Sequence, residues 1–133
     1  MENLSLAMRS ALSNYATFSG RAARPAYWWW VLSVFLLLFV LGLLDAFVMA
    51  PLLGAGIADE NAGQPLSFLA SLALLLPNIS IGVRRLHDTG RTGWWMLLAL
   101  FPVLGVLVLI YFYLQPSEEG ENAHGPQPVW PPA

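Results

Sequence analysis

The stretch Arg84-Arg85-Leu86-His87-Asp88-Thr89-Gly90-Arg91-Thr92-Gly93-Trp94-Trp95 decides how the rest of the chain is threaded. It is a charged island between two long apolar runs, and it contains half of the protein's arginines. Because a short basic segment crosses a bilayer only at high cost, this stretch fixes the side of the membrane on which it lies. The other segments can therefore be placed relative to it.

The composition predicts an integral membrane protein. Of the 133 residues, 57% are hydrophobic and only 11% are charged, whereas a soluble domain carries about 25% charged residues. The absence of cysteine excludes disulfides, thiolate metal sites and thiol catalysis. The two histidines are too few for a multi-histidine metal site within one chain. We therefore predict no cofactor, no metal and no nucleic-acid partner.

The apolar runs predict three membrane spans within a single integral membrane domain, residues 1–133, of the all-α class. Residues 27–49, 66–83 and 94–114 each approach the roughly 20 residues that cross a bilayer core. The first span opens with the aromatic cluster Tyr27-Trp28-Trp29-Trp30, which is typical of the headgroup level. Pro102 and Gly105 predict a kink in the third span.

The segments outside the spans have different compositions. Residues 1–26 form an N-terminal interfacial segment, in which apolar residues recur at helical spacing from Leu4 to Tyr15 and predict an amphipathic helix on the membrane surface. Residues 84–93 form a basic loop, and residues 115–133 form a polar, proline-rich tail without a core of its own.

Arginine placement predicts the orientation. With three spans, all arginines fall on one side, which the positive-inside rule identifies as the cytoplasm. The N-terminus is therefore expected in the cytoplasm and the C-terminus in the periplasm or outside. If the basic loop and the tail instead faced the same side, the loop and the Gly120–Pro128 segment would meet in a composite binding or catalytic site.

Asp45 and Asn78 are the candidate intramembrane polar residues. Asp45 is either an ion or proton site, since intramembrane acids usually have a role, or a residue near a helix end that reaches water or headgroups. Asn78 is expected to bond to a neighbouring helix, with a solute pathway as the alternative. Pro77 frees a backbone carbonyl that another helix or a polar side chain can satisfy.

The basic loop admits three interpretations. His87 beside Asp88 suggests a general base, but neighbouring residues rarely point at each other and no nucleophile pattern accompanies them. Asp88-Thr89-Gly90 consists of residue types that are common in turns, and Thr92 is a suitable N-cap. Both observations favour a structural turn and membrane anchor. A lipid or partner site is the remaining interpretation. No catalytic residue is assigned; the candidate lipid-binding, partner-binding or structural motif is Arg21, Arg24, Arg84, Arg85, His87, Asp88, Arg91 and Trp94.

Three pieces of the chain together resemble a known family. They are Phe18-x-Gly20-Arg21-Ala22-x-Arg24-x-x-Tyr27-Trp28, the Arg84–Trp95 stretch, and Gly120-Glu121-Asn122-x-x-Gly125-Pro126-x-Pro128. The chain resembles the small bacterial inner-membrane proteins of the YhaH/YhaI type, a domain of unknown function. The resemblance implies an inner-membrane location and a multi-span helical fold, with no activity, substrate or cofactor. Ala26 stands where this family usually has glutamate.

These observations favour a non-enzymatic membrane component that acts through lipids or protein partners, including a second copy of the chain or a larger membrane protein. The alternative is a small transporter or channel subunit that uses Asp45 and Asn78. A membrane enzyme that uses Arg84–Asp88 is the third hypothesis, and it requires a cleft that joins His87 and Asp88 to a nucleophile.

Overall fold

The computed structural model describes residues 2–131, apart from the side chain of Glu60, and the named secondary-structure elements in this part of the chain are all helices. Helix α1 spans Glu2–Ser13. Helix α2, Arg24–Leu44, continues through a π-helical turn, Asp45–Met49, into the short helix α3, Ala50–Leu52. After a 3₁₀ turn, Glu60–Ala62, helix α4 spans Pro65–Asp88. A 3₁₀ helix, Gly93–Leu100, precedes helix α5, Leu104–Leu114.

Two helical segments are long and apolar enough to cross a membrane. Arg24–Leu52 has 29 residues and Pro65–Asp88 has 24, and at about 1.5 Å per residue both exceed the roughly 30 Å hydrocarbon core. The first two predicted spans, residues 27–49 and 66–83, lie within these segments. The predicted loop at residues 84–93 is wrong for its first half, because Arg84–Asp88 forms the last turn of α4. The side chains of Arg85, His87 and Asp88 in this turn have hydrogen-bond partners inside the protein.

The third predicted span is corrected to a helical hairpin. The chain reverses at residues 101–103, so the Trp95 and Phe112 rings, which a straight span would hold near its two ends, lie 5.4 Å apart. Pro102 has no N–H to continue a helix, and Val103 has a φ of 70°. Gly105 allows the hairpin to close, because a Cβ there would collide with the Leu98 carbonyl. The predicted kink is therefore a complete reversal.

Helix α1 packs against α2 and α4 through small residues. Ala7 and Ala11 are buried in a cluster that includes Trp30 and Ile81. The larger apolar residues of the predicted amphipathic face, such as Leu12, remain exposed. The interfacial position of residues 1–26 stays a prediction, and Met1 lies outside the described residues.

The proline in α4 is accommodated as the sequence predicts. Pro77 removes the N–H that would bond to the Ala73 carbonyl one turn earlier. The Tyr15 hydroxyl, just after α1, donates to that carbonyl instead. The Ser80 hydroxyl lies 3.3 and 3.1 Å from the carbonyl oxygens of Asn14 and Tyr15, and its one proton can be donated to either of them. Helix α4 thus remains continuous, and the segment after α1 is tied to it.

Candidate functional site

Asp88, the last residue of α4, is the centre of a buried polar cluster. Its side chain has no exposed surface, and it accepts hydrogen bonds from Arg21 Nε at 3.0 Å, Arg85 Nη1 at 2.7 Å and the Ser117 hydroxyl. Two guanidinium groups and one carboxylate leave one positive charge in excess within this group. The helix C-terminus favours such a charge, since its carbonyls carry partial negative charge.

Arg21 attaches the C-terminal tail to this cluster. Its Nη1 donates to the carbonyls of Gly120 at 2.6 Å and Gly125 at 3.1 Å, and its Nη2 donates to the carbonyls of Glu118 and Asp88. The Glu118 N–H also donates to the Asp88 carbonyl at 2.8 Å. The tail therefore satisfies carbonyls that the end of α4 would leave without partners.

Arg85 attaches the second arm of the hairpin. It is fully buried, and it donates to the Tyr113 carbonyl through Nε at 3.2 Å and Nη2 at 3.1 Å, and to the Gln115 carbonyl. These carbonyls belong to the end of α5. One buried side chain thus binds the C-terminal ends of two helices.

The tail also covers His87. The His87 and His124 rings are stacked with centroids 3.9 Å apart, and His87 Nδ1 lies 2.9 Å from the Gly20 carbonyl oxygen. Asn122 donates to the His87 carbonyl at 3.0 Å. The prediction that the tail lies across the membrane from residues 84–93 is wrong, since the two are in contact.

The remaining arginines of the motif make separate contacts. Arg24 donates to the Leu114 carbonyl at 3.0 Å, and the guanidinium carbon of Arg91 lies 4.0 Å from the centre of the Phe112 ring. Trp94 is 78% exposed. Arg84 is not among the arginines paired with Asp88, and it borders a cavity between α1, α2 and α4.

A turn connects α4 to the hairpin. Gly90 has a φ of 81° and its N–H donates to the His87 carbonyl at 3.0 Å, as is usual just beyond a helix end. A Cβ at Gly90 would collide with the Glu118 carboxylate. Thr92 occupies the predicted N-cap position, but its side chain makes no capping hydrogen bond.

Asp45 lies at the other end of α4 and is 1% exposed. Its two carboxylate oxygens accept the Leu66 and Ser67 N–H groups, each at 2.9 Å. The prediction that Asp45 reaches water or headgroups is therefore wrong: it caps the neighbouring helix. Asn78 accepts from Trp30 Nε1 at 2.8 Å, which confirms the predicted bond between helices.

The predicted motif omitted the tail residues that complete the cluster, namely Ser117, Glu118, Asn122 and His124. A partial signal was the Gly120–Pro128 segment, which carries part of the family resemblance. The basic loop and the tail do meet, as the alternative topology predicts. The carboxylate of Asp88 at the centre of this contact binds arginines and a serine. His87 contacts a carbonyl and another histidine.

Sequence comparisons identify the family and relatives of this chain. Residues 15–126 match the family described as protein of unknown function (DUF805). Inner membrane protein YhaH of Escherichia coli K12 is 40% identical over 121 residues, which cover 91% of this chain and 94% of that protein. Inner membrane protein YhaI of the same strain is 37% identical over 122 residues, which cover 90% and 92%. No solved structure matches this chain.

Proposed function

From the premise that this chain belongs to the DUF805 family, we propose that it is a non-enzymatic inner-membrane component that acts through contacts with lipids. The relatives described above are inner membrane proteins, and the chain has two helical segments long enough to span a bilayer. Beyond an inner-membrane location and two spanning segments, we propose a specific membrane topology and lipids as the binding partners.

The proposed topology has two spans and a re-entrant hairpin, with both termini in the cytoplasm. The observation that carries it is the contact of Ser117 and Glu118 with Asp88, because residues in contact cannot lie on opposite sides of a bilayer. The arginines then share one side with the tail. The opposite side carries Asp59 and Glu60 without a basic residue, which agrees with the positive-inside rule.

The hairpin is the proposed lipid-facing element. Helix α5 has 11 residues, so it extends about 16 Å, or about half of the hydrocarbon core. Leu100 and Leu104 beside its turn are 76% and 75% exposed. The turn pairs its own backbone, since the Phe101 N–H donates to Leu98 and the Gly105 N–H to Phe101, both at 3.0 Å. Such pairing is required of a non-helical backbone at membrane depth.

The buried cluster supports a structural rather than a catalytic role for the motif. The Asp88 carboxylate already binds two guanidinium groups and a hydroxyl, and its side chain is closed to solvent. A catalytic acid or base must reach the proton that it transfers. Asp45 and Asn78, the residues of the transporter hypothesis, are likewise bound to backbone amides and to Trp30.

Single cysteines in this cysteine-free chain test the topology. We would place them at Ile57, Thr89 and Glu119 and label intact spheroplasts with a membrane-impermeant maleimide. We expect labelling at Ile57 alone, and labelling at all positions after the membrane is permeabilised. Labelling at Glu119 in intact spheroplasts would place the tail outside and contradict the proposed topology.

The lipid contact needs a second measurement. Protein reconstituted with lipids that carry a bromine or spin label at the middle of the acyl chain should show quenching of a fluorophore on a cysteine at Leu100. A fluorophore at Glu119 is the matched control and should remain unquenched. Equal quenching at the two positions, or none at Leu100, would contradict insertion of the hairpin.

A further inference from the structure

Arg84 differs from the other buried arginines of the cluster. It is 7% exposed, yet its Nε and Nη2 have no hydrogen-bond partner among residues 2–131. Its chain neighbour Arg85 is bound to Asp88 and to carbonyls of the second hairpin arm. Adjacent residues on a helix point about 100° apart, so Arg84 faces another part of the molecule.

An unpaired buried guanidinium requires an explanation. Arginine remains protonated in proteins, and a buried charge without a partner is costly. Nε and Nη2 form one edge of the guanidinium group, with two roughly parallel N–H bonds. This edge matches two oxygens of a carboxylate or phosphate group in a bidentate arrangement.

Arg84 also lies beside a cavity. Arg84 lines a cavity of about 320 Å³, which is within the range of small-molecule sites. The cavity lies between α1, α2 and α4, beside Pro128–Trp130 of the tail. Ser10 and Ser19 supply hydroxyl groups to its lining, and no carboxylate lines it in the part of the chain described.

The charges around the cavity favour an anion. Arg21 also lines it, but the guanidinium nitrogens of Arg21 are bound to Asp88 and to tail carbonyls. Arg84 therefore supplies the free donors. Ala26, on the α2 side of the cavity, contributes a methyl group and no charge.

We propose that this cavity binds a phosphate group, with the guanidinium group of Arg84 as the cation that pairs with it. The group belongs either to a lipid headgroup or to a soluble phosphate, since both present the same oxygens. The lipid source rests on the proposed function, whereas the soluble source does not.

The binding experiment uses the full chain in a neutral detergent and has two arms. Inorganic phosphate is titrated by isothermal calorimetry, and phosphatidylglycerol is compared by native mass spectrometry with diacylglycerol, which lacks the phosphate group. We expect binding in at least one arm, with Arg84→Gln weakening it about tenfold or more, because the charge-assisted contact with the phosphate group is lost. Arg9→Gln removes the same charge from an exposed position of α1 and should bind like the wild type.

Ala26→Glu keeps the proposal testable if Arg84→Gln fails to fold. The new carboxylate enters the cavity and can pair with Arg84, so this variant should abolish phosphate binding and raise the thermal midpoint. Ala26→Gln adds nearly the same volume without the charge, and it should not raise the midpoint. A midpoint that is equal in the two variants would show that Arg84 has no unmet need for an anion, and would overturn the proposal.

The outcomes distinguish a lipid headgroup from a soluble phosphate as the ligand, and they test the phosphate site separately from the proposed function. Selective binding of phosphatidylglycerol without inorganic phosphate identifies a lipid site, and binding of inorganic phosphate identifies a soluble ligand. The proposal of a phosphate site is overturned if Arg84→Gln binds as tightly as the wild type, or if the wild type binds in neither arm. In that case, quenching of a fluorophore at Leu100 still supports the proposed function, whereas its absence removes that as well.

Discussion

The two ends of helix α4 are held by buried aspartates that use different chemistry. Asp88 at the C-terminal end is paired with two arginines, whereas Asp45, which approaches the N-terminal end from the π-helical turn after α2, binds only backbone N–H groups. Both residues are at most 1% exposed. The contrast follows from the helix itself, because its N-terminus presents donors to an anion and its C-terminus presents carbonyls that favour cations.

The N-terminal end shows why an acid is needed from elsewhere. Pro65 is the first helical residue and has no N–H, and Gln64 at the N-cap position makes no side-chain hydrogen bond. The free donors are then the N–H groups of Leu66 and Ser67, and Asp45 accepts both. Asp45, in the turn that follows α2, thus caps the N-terminus of α4, and its carboxylate is the one charged group in this contact.

The largest expected effect comes from Asp88→Asn. The substitution leaves Arg21 and Arg85 buried without a counter-charge, and breaking a buried ion pair in this way costs about 3–5 kcal/mol. Thermal unfolding in detergent should show the loss, and proteases should cut the tail more readily in the folded state. Glu119→Gln, an exposed acid in the tail, is the matched control. A midpoint for Asp88→Asn equal to that of Glu119→Gln would show that the cluster does not hold the tail.

A smaller effect is expected from Asp45→Asn. An asparagine can still accept one backbone N–H but loses the negative charge that the helix N-terminus favours. The unfolding midpoint should fall by a few degrees, less than in Asp88→Asn, and Asp45→Ala should fall further because both donors lose their partner. Fluxes across liposomes should not depend on Asp45. If Asp45→Asn lowers the unfolding midpoint as much as Asp88→Asn does, the ion pairs at Asp88 do not contribute more stability than the backbone hydrogen bonds at Asp45.

The same comparison shows what the sequence can predict. The two spans follow from long apolar runs, and the need for a partner at the Ala73 carbonyl follows from the position of Pro77. These are local properties of the chain. A bond from Asn78 to a neighbouring helix was also expected, since a polar side chain in an apolar helix tends to bond to a neighbour, and the structure shows that its partner is Trp30.

The reversal at Phe101–Val103 could not be predicted in the same way. Residues 94–114 have the length and hydrophobicity of a span, and a proline in such a run is compatible with a kink or a turn. The choice depends on distant contacts, chiefly Ser117 with Asp88 and Arg85 with the Tyr113 carbonyl. The different environments of Arg84 and Arg85 likewise depend on which elements pack around the helix. Because the two residues are adjacent and of the same type, the sequence alone does not distinguish them.

The smallest expected effect lies between the two ends of α4, where a neutral hydrogen bond replaces the one removed by Pro77. Tyr15→Phe removes the hydroxyl that donates to the Ala73 carbonyl, and such bonds in membrane proteins contribute about 0.6 kcal/mol on average. The unfolding midpoint should therefore fall less than in either aspartate variant.

A double-mutant cycle with Pro77→Ala isolates this bond from the packing of the proline ring. In Pro77→Ala, residue 77 regains an N–H that can donate to the Ala73 carbonyl within the helix, so the Tyr15 hydroxyl is no longer the sole donor. Adding Tyr15→Phe to Pro77→Ala should then cost less than adding it to the wild type, and the difference is the coupling energy. Equal costs in the two backgrounds would mean that Tyr15 stabilises the protein only through its ring.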